Sequence, residues 1–183
     1  MQQNREYPQR WAGEVSSFRE VAALIVRFRV RSCVIDALPE TRKARELQAD
    51  FAPGKIWLAY YAGGDDGTKS QETEQWNEKE GVVILDRTRS LDSTYARFDE
   101  GINTLPANAR DIENYYEQMK APVRVLEDKK DGKKVAKYIE GNRADHFAHS
   151  ENYCTAAMAA PRPALVSSQI HSARAQFEQT AYH

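Results

Sequence analysis

Val30-Arg-Ser-Cys-Val-Ile-Asp-Ala37 runs into Leu38-Pro39-Glu40 and a helical stretch, and then into Lys55-Ile-Trp-Leu-Ala-Tyr-Tyr61. The first segment is short, β-branched and apolar towards its end, as expected of a strand buried on both faces. Pro39 stands where a helix begins, with Glu40 beside it, and the helix runs to Phe51 before Pro53-Gly54 stops it. Strand, helix and strand in this order predict a parallel pair within an α/β sheet. Asp36 closes the first strand. Carboxyl ends of parallel strands are where α/β proteins place their ligands. Two readings of Asp36 stay open: it orients the turn before the Pro39 helix, or it serves a site.

Working outward, Ser17 with Glu20 three residues on has the spacing of a capping box. Phe18, Val21, Ala22, Leu24, Ile25 and Phe28 follow at helical spacing. Residues 1–16 are polar, with Trp11 and Val15 as their core candidates. Beyond Tyr61, residues 62–80 form a polar loop that includes Gly63-Gly64-Asp65-Asp66-Gly67. Loops of such length are usually functional or mobile. Val82–Arg87 reads as a further strand. Ser90 caps a helix over Leu91–Phe98, and Asn108 caps another over Ala109–Lys120. Val123–Glu127 and Val135–Ile139 flank Asp131-Gly132, a strong hairpin signal. A last helix spans Ala144–Ala160 before Pro161 and Pro163. The expected organisation is one domain over residues 1–160 and a tail over 161–183.

The chain has 183 residues and a net charge of −1, so overall charge points to neither nucleic acid nor membrane. Any DNA contact must come from a local basic patch. No apolar run is long enough to span a bilayer, and the polar first residues show no leader, which predicts a cytoplasmic protein. The two cysteines, Cys33 and Cys154, lie in apolar stretches and are expected to be buried free thiols. There is no Walker-type glycine loop and no Gly-x-Ser-x-Gly elbow.

Asp145 opens Ala144-Asp-His-Phe-Ala-His-Ser-Glu-Asn-Tyr153. A carboxylate at a helix start favours the dipole and needs no other role. Yet His149 lies four residues on, on the same helix face, with His146 between them. Carboxylates suit Mg²⁺ or Mn²⁺, whereas histidine leans to softer metals. Asp36 and Asp145 are therefore the candidate catalytic and metal residues, with His146 and His149 as candidate supports. Lys129, Lys130, Lys133 and Lys134 cluster on the hairpin turn, and Arg87 and Arg89 follow the strand that ends near Asp86. A charge run is most often a solvated turn. Placed near Asp145, these residues could instead contact phosphates without reading bases.

Taken together, several segments resemble the C-terminal nuclease domain of the large terminase subunit of tailed bacteriophages. They are Gly13-Glu-Val15, Val30–Arg42, Ile56–Tyr61, Asp86-Arg-Thr-Arg-Ser-Leu-Asp92 and Ala144–Tyr153, so the resemblance covers residues 13–160. It implies an RNase H-like mixed sheet flanked by helices, with the hairpin added. It implies a metal-dependent endonuclease that cuts concatemeric double-stranded DNA during genome packaging in the cytoplasm of an infected bacterial host. The implied partners are the terminase ATPase domain, the small terminase subunit and the portal protein. In that family three acidic residues hold two Mg²⁺ or Mn²⁺ ions, and the resemblance makes Asp36 the second and Asp145 the third. Two ions would clamp the attacking water and the leaving oxygen. No aspartate-bearing strand precedes Ser17, where Glu6 and Glu14 are the acidic residues upstream. The family's first central strand and its ligand are thus expected to be missing, and the chain reads as a piece of a longer protein. The alternative expectation is a catalytically incomplete DNA-binding or assembly module of the packaging motor.

Overall fold

The computed structural model describes residues 7–62, 72–106, 109–128, 132, 134–139 and 141–161. In chain order its strands and helices are β1 (Tyr7–Pro8), α1 (Phe18–Arg27), β2 (Cys33–Asp36), α2 (Thr41–Ala49), β3 (Ile56–Tyr61) and β4 (Glu74–Asn77). Then follow β5 (Val82–Leu85), α3 (Arg87–Asp99), β6 (Asn103–Thr104), α4 (Tyr115–Met119), β7 (Val123–Asp128), β8 (Lys134–Ile139) and α5 (His146–Ala159). The main sheet has the order β2-β3-β5-β4. The β2–β3 and β3–β5 pairs are parallel, and β4 is antiparallel to β5. The protein is thus a mixed α/β fold.

Side-chain parity along the strands assigns the two faces of this sheet. Cys33, Ile35, Ile56 and Leu58 meet Ala22 and Ile25 of α1 and Ala44 and Leu47 of α2. Val34, Trp57, Ala59, Val83 and Leu85 meet Tyr153, Ala156 and Ala160 on the other face. Asp36 lies two residues after Val34, and Tyr61 two after Ala59, so both belong to the α5 face. Ser17 caps α1 by accepting from the Glu20 amide, while Glu20 accepts from the Ser16 amide and hydroxyl. Gln48 of α2 donates to the carbonyls of Ile56 and Gly81, tying α2 to the start of both inner strands. Gly81 has φ +62, and a Cβ there would come within 2.5 Å of the Gln48 amide nitrogen, so glycine is required twice over.

Several expectations need correction. The stretch 62–80 contains strand β4, seated by Trp76, whose ring stands edge-on to Trp57 at 4.9 Å. Helix α3 begins at Arg87, capped by Asp86 accepting from the Arg89 amide; Ser90 is buried within the helix. Residues 109–120 are not one helix: a 3₁₀ turn at Ala109–Asp111 and α4 are separated by Asn114 in the left-handed region, φ 58. Helix α2 starts at Thr41, after Pro39. Trp11 and Val15 are exposed, because the N-terminal segment runs along β6 and leaves them outside the core. Both cysteines are free, but neither is fully buried: Cys33 is half-buried and Cys154 is exposed. The expected tail, 162–183, and Asn108 lie outside the described residues.

The N-terminal segment is strapped to the helical side. Gln9 donates to the Glu151 carboxylate at 2.5 Å, and the Tyr115 hydroxyl donates to the same oxygen at 2.7 Å. Hairpin β7–β8 docks on α3 through Asp92, which accepts from Arg124 at 2.9 Å and from the Tyr138 hydroxyl at 3.0 Å. Among the described residues no strand covers the outer edge of β2.

Two outcomes are expected. Leu58 is fully buried on the central strand. Leu58→Ala should cost about 2–5 kcal/mol in urea unfolding. Burial raises the Glu151 carboxyl above its ordinary 4.5. The folded state therefore holds this proton more tightly than the unfolded chain, so the Glu151 contribution to stability falls as pH rises above about 4.5. Glu151→Gln keeps the accepting oxygen and should lose that decline, seen as a flatter melting temperature against pH than wild type.

Candidate functional site

A cavity of about 480 Å³ opens on the α5 side of the sheet at the carboxyl ends of its parallel strands. Asp36 reaches it from the end of β2, Tyr61 from the end of β3 and Arg87 from the start of α3. Asp145, His146, His149 and Tyr153 reach it from the first two turns of α5 and the residue before it. Two aspartates 109 positions apart are thus brought to one cavity. The strand ends meet here because β3 lies between β2 and β5, and α5 packs on this face against β2, sharing a core with the side chains of β3 and β5.

Each carboxylate is already held. Asp36 Oδ1 accepts from the Leu38 amide at 2.9 Å, the turn-orienting role, while Oδ2 accepts from the Tyr153 hydroxyl at 2.9 Å. Both readings of Asp36 are therefore compatible in one side chain. Asp145 makes no capping bond to its own helix. Its Oδ2 lies 3.1 Å from His149 Nε2 and 3.7 Å from an Arg87 nitrogen. Arg87 also stands over the Tyr61 ring, 5.5 Å from its centroid.

Behind this surface is a buried polar network. Tyr61 Oη lies 2.6 Å from His149 Nδ1 and accepts from Asn152 Nδ2 at 2.9 Å. Asn152 also donates to Ser90 at 3.0 Å and accepts from Thr94 at 3.1 Å. The Tyr61 and Tyr153 rings stack at 5.9 Å. Burial lowers the His149 pKa from 6.5, with Arg87 acting the same way and Asp145 opposing. Burial pushes the Tyr61 hydroxyl up to about 12, and burial together with Tyr61 and Asp36 raises that of Tyr153. Both phenols stay protonated near neutrality, and that of Tyr153 donates to Asp36.

Asp36, Asp145, His146, His149 and Arg87 all line the cavity, whereas no described hairpin residue does. Arg89 is half-exposed beside Asp86, at 3.8 Å. Lys134 is exposed, 4.0 Å from Asp128. Lys129, Lys130 and Lys133 lie outside the described residues. Tyr61, Asn152 and Tyr153 are additions; the residue patterns place them on the right faces but not opposite one another. Tyr61 shares strand parity with Trp57 and Ala59, and Asn152 and Tyr153 continue the helical face of Asp145 and His149.

The donor set suits a hard divalent ion. Mg²⁺ or Mn²⁺ is commonly held through one or two carboxylates, with water completing the shell. Asp36 and Asp145 are carboxylates of this kind and line one cavity. No group of three or more His, Cys, Asp or Glu that could hold a metal occurs among the described residues. Among the described residues no helix is long and apolar enough to cross a membrane. Compared with known proteins, the chain matches no family model, no curated protein and no solved structure.

Asn152→Ala should leave the Thr94 hydroxyl without its partner and lower stability by about 1–3 kcal/mol in chemical denaturation. Tyr153→Phe, whose partner Asp36 is exposed, should cost less.

Proposed function

We propose that the chain is a metal-dependent endonuclease domain acting on double-stranded DNA, of the RNase H-like terminase kind. The observation that carries this reading is the convergence of Asp36 and Asp145 on one cavity at the carboxyl ends of parallel strands. Asp36 and Asp145 would hold one Mg²⁺ or Mn²⁺ ion, which would polarise a phosphodiester oxygen and lower the pKa of a bound water. Arg87 and His146, on the cavity wall, would face the phosphate. Cutting of concatemeric DNA during genome packaging in an infected bacterial host, alongside an ATPase domain, a small terminase subunit and a portal protein, follows from the same resemblance.

A second reading is a catalytically incomplete DNA-binding or assembly module. It is favoured by one observation: Asp145 already faces the Arg87 guanidinium, and no group of three or more His, Cys, Asp or Glu that could hold a metal occurs among the described residues. The two readings part on metal dependence.

A plasmid-nicking assay with Mn²⁺ decides between them. The nuclease reading expects nicking by wild type and a loss of about a hundredfold or more in Asp36→Ala and in Asp145→Asn. It also expects Mn²⁺ at about 100 times its dissociation constant to stabilise wild type by about 2.7 kcal/mol, an effect absent in both variants. Salt-sensitive DNA binding that Asp36→Ala retains, with no nicking by wild type, would support the module instead.

A further inference from the structure

His149 makes two short contacts with opposite requirements, both shorter than its third, the donor-only Arg87 guanidinium 3.4 Å from Nε2. On one side is the Asp145 carboxylate, 3.1 Å from Nε2, which can only accept. On the other is the Tyr61 hydroxyl, 2.6 Å from Nδ1, which can donate or accept. A neutral imidazole has one N–H. Placed on Nδ1, it would leave the Nε2 lone pair facing a carboxylate oxygen.

The surrounding bonds remove the remaining freedom. The Ser90 hydroxyl donates to the Arg87 carbonyl, so its oxygen is left to accept from Asn152 Nδ2. That fixes the Asn152 amide with its NH₂ towards Tyr61, whose oxygen it fills. The Tyr153 proton goes to Asp36. The Tyr61 proton is then directed to His149 Nδ1, over the shortest contact of the set.

We propose that Tyr61 and His149 form a positioning unit in which Tyr61 donates to Nδ1 and His149, as the Nε2–H tautomer, holds the Asp145 carboxylate in place. Neither ring nitrogen is left to ligate a metal, so His149 is a prop for Asp145 and not a ligand. The unit begins at Asn152, passes through Tyr61 and His149, and ends at Asp145, while Tyr153 gives Asp36 its own donor from the next residue of the same helix. Both aspartates are therefore set by side chains carried on α5. The tautomer stands on the hydrogen bonds alone, whereas its use in holding a metal ligand rests on the metal reading of Asp145.

Imidazole nitrogen NMR on ¹⁵N-histidine protein tests this near pH 8, above the ordinary imidazole value of 6.5. The His149 signals are identified by their loss in His149→Gln. Wild type should show Nε2–H alone, with a slowly exchanging proton. In Tyr61→Phe the ring loses one of its two holds, and that proton should exchange fast enough to vanish. Mn²⁺ affinity, read by titration calorimetry, should fall about 10- to 100-fold in Tyr61→Phe and in His149→Gln, with folding checked by circular dichroism. An Nδ1–H tautomer or a mixture in wild type overturns the proposal. So does a Tyr61→Phe protein matching wild type in both proton exchange and Mn²⁺ affinity. A wild type that shows Nε2–H but takes up no Mn²⁺ sinks the metal reading and supports the prop.

Discussion

The Asn152 side chain is the polar contact on which the arrangement turns. It is buried to 1% exposure and bonds to β3 through Tyr61 and to α3 through Ser90 and Thr94. An amide so buried must find its partners inside the protein. Here they sit on different elements, so satisfying them fixes where α5 lies relative to the sheet and α3. Apolar packing of Tyr153, Ala156 and Ala160 on Val34, Trp57 and Ala59 supplies the adhesion, which is non-directional. The amide supplies the register. A slide of α5 by one turn would keep much of the apolar contact and lose every one of these bonds.

That register is what assembles the cavity. Asp145, His149 and Tyr153 lie on successive turns of one helix face, so setting Asn152 sets all three. The strand side is set equally firmly, because Asp36 pairs with Ala59 in the parallel register and Tyr61 follows two residues on. Strand ladder and helix face are separate constraints, and the site lies where they meet. Rigid elements hold such geometry better than loops do.

What was legible in the sequence follows from which of these constraints is local. The strand at Cys33–Asp36, the strand at Ile56–Tyr61 and the final helix carry their periods openly, and their boundaries shifted by only a few residues. The two aspartates were legible because each ends or opens such an element. Strand β4 was not, since Glu74-Gln-Trp-Asn77 has no apolar alternation and is held by one tryptophan edge-on to Trp57. Nor was the break before α4, which depends on the left-handed backbone of a single asparagine. Ser90 looked like a cap because its polarity was visible and its buried partner Asn152, 62 positions away, was not. The phenols escaped for the same reason. Tyrosine at a strand end reads as surface or core until the element across from it is known.

Arg87 shows how the cavity balances charge. Its guanidinium lies 3.7 Å from Asp145 and 3.4 Å from the His149 ring. With burial, it keeps the imidazole neutral, and a neutral ring with Nε2–H is what lets His149 donate to Asp145 without adding a second positive charge. A protonated His149 would place two cations against one carboxylate and would have no lone pair left for the Tyr61 proton. A divalent ion between Asp36 and Asp145 would bring its own charge against Arg87, and the same carboxylate oxygen cannot serve both fully. An ion held by Asp145 would therefore compete with the Arg87 guanidinium for that carboxylate, while the His149 contact would serve either occupant.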